Sequence, residues 1–181
     1  MTSGMMQVKV GLGTSNIMSM ACELLLHKEA ETVKRSSFLL IEEPEAHVHA
    51  QRQLKLIQSL EEGAETHRQQ IILTTHSSLL AYVVKLKNIV LLRHGNAFPM
   101  GDEYTMLEES DYKYLERYLD ATKANLFFAR SVVIVEGPGE ALLLPTLAKL
   151  LRRSFTNFGT SMVDFAGVGL SRNARIFQRA N

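Results

Sequence analysis

Short apolar runs that end abruptly in charged or polar residues recur along this chain. In the clearest of them, residues 38–41, four apolar side chains lead directly into Glu42, Glu43 and Pro44. The run does not alternate between apolar and polar residues, so it predicts a strand buried on both faces, as in a parallel sheet covered by helices. The two glutamates then lie at the carboxyl end of the strand, where open α/β sheets bind their ligands.

The two glutamates allow two interpretations. If they are buried, they need a metal ion, a polarised water or a cationic partner nearby, because an unpaired buried carboxylate is costly. If they lie just past the strand end, they are ordinary solvated residues that precede a helix. The next apolar run favours the first interpretation. A helix predicted over residues 46–61, which Gly63 ends, separates the first strand from a second apolar run. That run, residues 71–75, predicts a second strand that leads directly into His76.

The order strand, two acids, helix, strand, histidine resembles the second half of an ABC-type ATPase. The sequence IEEPEAHVHAQRQ followed by TTHSS is similar to the ATPase of the OLD family of ATP-dependent endonucleases and its RecF-like relatives. The resemblance implies that Glu42 helps to hold Mg²⁺ through water and that Glu43 polarises the attacking water. It implies that His76 senses the γ-phosphate of ATP. Such roles suit phosphoryl transfer, which needs charge compensation and an aligned water.

A glycine-rich stretch, GLGTSN, precedes a helical pattern over residues 17–27. Gly11, Gly13 and Ser15 would offer free backbone N–H groups and the positive end of a helix dipole to an anion. A plain loop with an N-cap explains the same residues. In the OLD family a similar pattern lies one helix before the two acids, at the ABC signature position. The resemblance implies that these residues contact the γ-phosphate of an ATP bound by a second subunit.

The third apolar run, residues 131–135, ends in the turn EGPGE before a helix over residues 141–151. A glycine turn without chemistry is one interpretation. The alternative is a resemblance to the opening of a Toprim domain, which extends through ALLLPTLAKLL and implies that Glu136 and Glu140 bind Mg²⁺ or Mn²⁺. Oxygen ligands four residues apart across a turn suit such a hard cation. Pro145 predicts a kink in the helix or a late start.

Weaker patterns predict the remaining elements. The predictions are a strand within residues 1–10, a helix over 77–86, a hairpin of 88–92 with 97–100, a polar linker over 102–110, a helix over 111–124 and a strand over 161–165 before Gly167 and Gly169. The aromatic residues of the helix at 111–124 fit a core face better than a base-stacking face.

Composition narrows the class of protein. The chain has 181 residues, of which 46% are hydrophobic, and its 20 basic and 19 acidic residues give a formal charge of +1. Any DNA contact must therefore come from a local patch. A single cysteine excludes an intrachain disulfide and fits the cytoplasm. No apolar run approaches the length of a membrane span, and the amino terminus lacks the apolar core of a signal peptide.

The fold class expected is α/β, with the C-terminal half of an ABC-type ATPase at residues 1–110, a linker helix at 111–125 and the N-terminal part of a Toprim domain at 126–181. No GxxxxGK[ST] P-loop and no Asp-x-Asp pair occurs in the sequence. By resemblance the chain is expected to be a segment of an ATP-dependent DNA endonuclease, inactive alone, that works as a homodimer or with a complementing ATPase subunit and does not involve a membrane. The alternative is a DNA-binding or dimerisation module of a RecF-like or SMC-like ATPase without catalysis.

Overall fold

The computed structural model describes residues 11–29, 38–67, 69–165 and 170–179. Contacts along the chain divide it into two compact units, Met1–His76 and Ser77–Asn181. The predicted strand within residues 1–10 and the glycines Gly167 and Gly169 lie outside the described residues. Within the described ranges no helix is long and apolar enough to cross a membrane.

The first unit contains a β-α-β arrangement preceded by a helix. Helix α1 spans Leu12–Glu29, strand β1 Phe38–Glu42, helix α2 Ala50–His67 and strand β2 Gln70–Thr74. Strands β1 and β2 pair in parallel, with Leu39 opposite Ile71 and Glu42 opposite Thr74. The predicted strands and their parallel arrangement are therefore confirmed. Helix α2 packs against β2, and its apolar positions Ile57 and Leu60 are buried.

Three expectations about the first unit are wrong. Strand β1 is not buried on both faces, because Phe38 and Leu40 are 50% and 67% exposed and no described element covers that face. Glu42 and Glu43 are exposed rather than buried. Helix bounds also differ from those predicted. Helix α1 begins at Leu12, before its apolar periodicity starts, whereas α2 begins only at Ala50 and continues through Gly63 because residues 43–48 form turns.

The second unit contains two small sheets and four helices in its described part. Helix α3 spans Ser78–Val83, the hairpin strands β3 and β4 span Val90–Arg93 and Asn96–Pro99, and helix α4 spans Glu109–Tyr118. Strand β5 (Ser131–Val135), helix α5 (Pro138–Leu150), strand β6 (Thr160–Asp164) and helix α6 (Leu170–Arg175) follow. Strands β5 and β6 pair in parallel, and β3 pairs with β4 antiparallel through the turn His94–Gly95, where both residues have positive φ. The hairpin prediction is confirmed.

The core of the second unit forms around α4. Tyr112 is 2% exposed, and its hydroxyl donates a hydrogen bond of 2.6 Å to the Met100 carbonyl oxygen. The buried cluster consists of Leu86, Met100, Leu107, Tyr112, Leu115, Leu119, Leu126, Val163, Phe165 and Ile176. Tyr112 is therefore a core residue, as the apolar pattern predicts. Leu107 shows that the polar stretch 102–110 contributes to this core as well as connecting elements.

Two further predictions about the second unit need correction. Helix α4 ends at Tyr118, and a separate 3₁₀ helix follows at Lys123–Phe127, so one continuous helix to residue 124 does not form. Helix α5 starts early, at Pro138, and runs through Pro145. Proline is well suited to the first turn of a helix, where its missing N–H has no intrahelical partner. The exposed leucines of α5, among them Leu142, Leu143 and Leu150, leave much of its apolar surface uncovered within the described part of the chain.

Candidate functional site

The carboxyl ends of β1 and β2 bring the predicted ATPase residues together at one edge of the first unit. The Glu43 N–H donates to the Thr74 carbonyl oxygen at 3.0 Å, which extends the parallel pairing one residue beyond β1. His76, two residues after β2, places its Nε2 3.4 Å from Glu43 Oε1. Both side chains are exposed. Two residues 33 positions apart in sequence thus meet because parallel strands end at the same edge of their sheet.

A tight turn follows β1 and fixes where Glu43 lies. Glu43 and His47 have φ values of 42° and 60°, in the left-handed region that residues other than glycine rarely adopt. Pro44 between them is fully buried. Backbone hydrogen bonds of 2.9 Å run from the Ala46 N–H to the Glu43 carbonyl and from the Val48 N–H to the Glu45 carbonyl. Such strained conformations persist when surrounding contacts determine them, and they are frequent at functional sites.

Glu45 is a residue of this edge that the sequence analysis did not single out. Its Oε1 accepts hydrogen bonds from Thr75 Oγ1 at 2.6 Å and from the His76 N–H at 2.9 Å. Its Oε2 is buried and has no hydrogen-bond partner among the described residues. The sequence signal was a third acid two positions after Glu43. It was easily missed, because a glutamate just before a predicted helix is common.

An open cleft of about 770 Å³ lies beside this turn and within the first unit. Its polar lining comes from the start of α1 and from the strand ends: Ser15, Asn16, Ser19, Glu42, Glu43 and Thr74. The cleft therefore unites three of the residues predicted for the nucleotide site. Among the described residues its lining contains carboxylates, hydroxyls, an amide and the His47 imidazole but neither lysine nor arginine.

The glycine-rich stretch contacts the turn through the backbone of α1. Gly13 lies so close to His47 that a Cβ atom added there would be 2.0 Å from the His47 carbonyl oxygen. Asn16 Nδ2 donates to the Ala46 carbonyl oxygen at 3.3 Å. Only Gly11 precedes the helix, and the Ser15 N–H already donates to the Gly11 carbonyl oxygen at 3.0 Å. Gly13 thus has a packing reason to be glycine, and the residues of this stretch that line the cleft are Leu12, Ser15 and Asn16.

The second predicted site lies at the turn after β5, in the second unit. Glu136 and Glu140 are both exposed, and Glu140 Oε2 accepts a hydrogen bond of 2.8 Å from the Glu136 N–H. The two acids therefore share one turn, with the Glu140 carboxylate folded back over it. Asp164, at the carboxyl end of the neighbouring strand β6, lies opposite Val135 in the sheet. Over the residues that the structure describes, no group of three or more His, Cys, Asp or Glu side chains is placed to hold a metal ion.

Comparisons with known proteins support the two-part organisation. A family model described as an AAA ATPase domain matches residues 6–81. A model described as the TOPRIM domain of overcoming lysogenization defect protein-like proteins matches residues 127–181. The fold class expected from the sequence, an α/β ATPase part followed by a Toprim part, is therefore confirmed.

Two curated relatives are both named endonuclease GajA. The protein from Bacillus cereus strain HuB5-5 is 28% identical over 163 aligned positions, which cover 74% of this chain and 24% of the relative. The protein from Bacillus cereus strain VD045 is 26% identical over 129 positions, which cover 71% of this chain and 22% of the relative. The chain thus spans about a quarter of the length of the relatives that it matches.

Proposed function

Because this chain belongs to the OLD family of ATPase–Toprim proteins, we propose that it serves as part of an ATP-dependent DNA endonuclease. Its first unit supplies the water-activating side of an ATPase site, and its second unit supplies the first acids of a metal-dependent nuclease site. The observation that carries this proposal is the meeting of Glu43 and His76, with Glu42 beside them, at the edge of a parallel strand pair.

In the ATPase site each residue has a role that its position supports. Glu43 accepts a hydrogen bond from the attacking water and so orients a lone pair of that water toward the γ-phosphate, while His76 contacts the phosphate. Glu42 holds Mg²⁺ through water, and the bound ion would neutralise charge on the phosphates. The carboxylates and hydroxyls of the cleft fit the ion and its water. The described residues of the lining include no lysine or arginine to hold the phosphates, and the sequence has no P-loop motif, so we expect a P-loop to be supplied by another polypeptide segment.

A second chain would complete the nucleotide site. In this proposal Gly11, Gly13 and Ser15 form the signature-like segment that faces an ATP held by a homodimer partner or by a complementing ATPase subunit. What supports this is that Ser15 lines the same open cleft as Glu42 and Glu43, so a nucleotide that a partner brings to the cleft would meet all three residues. Glu43 and the signature-like segment would then act on nucleotide from one continuous surface of the first unit.

In the nuclease site Glu136 and Glu140 would together hold one Mg²⁺ or Mn²⁺ ion, and that ion would stabilise the charge that develops on a DNA phosphodiester as it is cut. Two carboxylates on one turn fit an oxygen-preferring cation. Two ligands do not define an octahedron, and among the described residues no third His, Cys, Asp or Glu completes a cluster. The pair therefore binds the ion weakly until further acids and the DNA phosphate contribute ligands.

The ATPase proposal is tested by supplying a P-loop in trans. The chain is mixed with a polypeptide that carries the P-loop half of a relative, and ATP turnover is compared among wild type, Glu43→Gln and the control Glu62→Gln, an exposed acid on α2. We expect Glu43→Gln to keep nucleotide binding while turnover falls by about 100-fold, since the water loses its hydrogen-bond acceptor. Equal turnover in both variants would show that Glu43 does not take part in ATP hydrolysis.

The nuclease proposal is tested on a chain extended by the downstream segment of a relative. Nicking of plasmid DNA is measured across a Mn²⁺ titration for wild type, Glu136→Ala and the control Glu103→Ala, an exposed acid on a loop. We expect Glu136→Ala alone to abolish nicking. Undiminished cutting by Glu136→Ala would show that Glu136 is not a metal ligand. DNA binding without nicking in the wild type would favour a binding module.

A further inference from the structure

We propose that Glu45 is a positioning residue for ATP hydrolysis, one that ties the turn after β1 to the end of β2 and so sets Glu43 against His76. The inference rests on the proposed function of the first unit and adds a residue to it. Glu45 lies two residues beyond Glu43, and its hydrogen bond to His76 goes to the backbone N–H rather than to the imidazole. It would therefore act by holding the backbone that carries the His76 side chain.

The contacts of Glu45 cross from one strand end to the other. Its Oε1 accepts from Thr75 Oγ1 at 2.6 Å and from the His76 N–H at 2.9 Å. One carboxylate oxygen that accepts two hydrogen bonds holds both donors at a single point, and an amide oxygen can do the same. Both donors belong to the two residues that immediately follow β2, so one carboxylate holds the backbone from which the His76 side chain extends.

The same turn is held from the other side by the backbone. The Glu43 N–H donates to the Thr74 carbonyl oxygen at 3.0 Å, and Pro44 is buried between Glu43 and Glu45. Proline has a fixed φ, so the span from Glu43 to Glu45 is stiff. With both ends of that span bonded to residues 74–76, the 3.4 Å separation between Glu43 Oε1 and His76 Nε2 depends on the Glu45 side chain.

The environment of the second carboxylate oxygen makes a geometric role testable. Glu45 Oε2 is buried and has no hydrogen-bond partner within the described residues. Glutamine at this position keeps the Oε1 acceptor, has nearly the same shape and replaces only the unpartnered oxygen by an amide nitrogen. A positioning residue should therefore be largely rescued by glutamine, whereas a residue needed for its charge should not.

The experiment uses the full chain and two readouts. Exchange of the His76 amide proton with deuterium is followed by NMR, and kcat and KM for ATP are measured with the P-loop polypeptide present. For Glu45→Ala we expect the His76 amide to exchange about tenfold faster or more, because its N–H loses its acceptor. We expect kcat to fall by about tenfold or more while KM stays within about threefold of wild type, since a small misplacement of the catalytic groups is costly. For Glu45→Gln we expect both readouts within about 1.5-fold of wild type.

Two outcomes would overturn the proposal. If Glu45→Ala leaves both amide exchange and kcat at wild-type values, Glu45 does not position His76. If Glu45→Gln loses as much activity as Glu45→Ala, the charge matters rather than the geometry. Should Glu45→Ala fail to fold by circular dichroism, Thr75→Val decides the matter, because it removes the hydroxyl donor while keeping the side-chain shape. We expect it to lower kcat by about threefold, and an unchanged kcat counts against the proposal.

Failure of the proposed function is distinguishable from failure of this inference. If the wild type shows no hydrolysis that depends on Glu43, the proposed ATPase role fails, and amide exchange at His76 still decides whether Glu45 clamps the two strand ends. If hydrolysis depends on Glu43 but not on Glu45, the function stands and the positioning role does not.

Discussion

Substitution of Gly13 by alanine should destabilise the first unit, although alanine is the better helix former. Gly13 lies in the first turn of α1, and a Cβ atom there would be 2.0 Å from the His47 carbonyl oxygen and 2.8 Å from its carbonyl carbon. Comfortable contacts between non-bonded heavy atoms lie at about 3.5 Å, so the helix or the turn would have to move by roughly 1.5 Å.

The turn cannot easily yield. His47 already has a left-handed conformation, and hydrogen bonds from the Ala46 and Val48 N–H groups close the backbone around it. Overpacking of this kind costs about 1–3 kcal/mol, against at most about 1 kcal/mol gained from helix propensity. We therefore expect Gly13→Ala to lower the free energy of unfolding of the first unit by roughly 1–2 kcal/mol.

Gly63 provides the matched control. It lies inside α2, and an added Cβ would meet nothing within 4 Å, so Gly63→Ala should stabilise the same unit by up to about 1 kcal/mol. Urea unfolding followed by circular dichroism, with amide exchange at Ile57 of α2 as a probe confined to the first unit, measures both variants. A Gly13→Ala variant as stable as Gly63→Ala would refute the argument from close contact.

Further predictions concern the chain alone and its pH response. Without a P-loop, the purified chain should show no measurable ATP turnover, because no lysine or arginine among the described residues of its cleft holds the phosphates for Glu43. Robust turnover in a coupled assay would contradict this. The exposed faces of β1 and α5 should cause self-association visible by sedimentation velocity, and a sharp monomer boundary would count against it. Burial raises the pKa of Asp120, but hydrogen bonds from Lys123 and Thr122 outweigh it and lower that pKa to about 2, from 3.8. A lowered pKa stabilises the fold above pH 3.8 and ceases to do so as the pH falls through about 2. Since the Asp120 side chain is 51% exposed, the stability that wild type has over Asp120→Asn at pH 5 should shrink by about 1 kcal/mol or less at pH 2, and a pH-independent difference would refute it.

The nearness of Glu43 and His76 could be expected from sequence, because two apolar runs joined by a helix favour parallel strands of one sheet. The carboxyl ends of such strands share an edge, whereas the 3.4 Å contact itself also depends on the turn after β1. The strand bounds at Phe38–Glu42 and Gln70–Thr74 agree with the prediction to within a residue. The same reasoning placed Glu136 and Glu140 at the turn after β5.

The role of Gly13 could not be predicted in this way. A glycine near a helix start is equally compatible with an anion site and with a close backbone approach, and the choice depends on what lies opposite. The close approach comes from the left-handed turn at His47, and Glu43 at the start of that turn donates a hydrogen bond to Thr74 at the end of β2. For the same reason the predicted helix at residue 46 began too early, since those residues are held in the turn.

Local apolar patterns and chain connectivity are enough to predict the elements, their order, the parallel direction of the strands and the acids at the strand ends. The folded structure was needed to show that the face of β1 with Phe38 and Leu40 is exposed, that Leu107 joins the core around Tyr112, and that Glu45 bonds to Thr75 and His76. Burial and side-chain contacts depend on which surfaces meet across distant parts of the chain, and no local pattern contains that information.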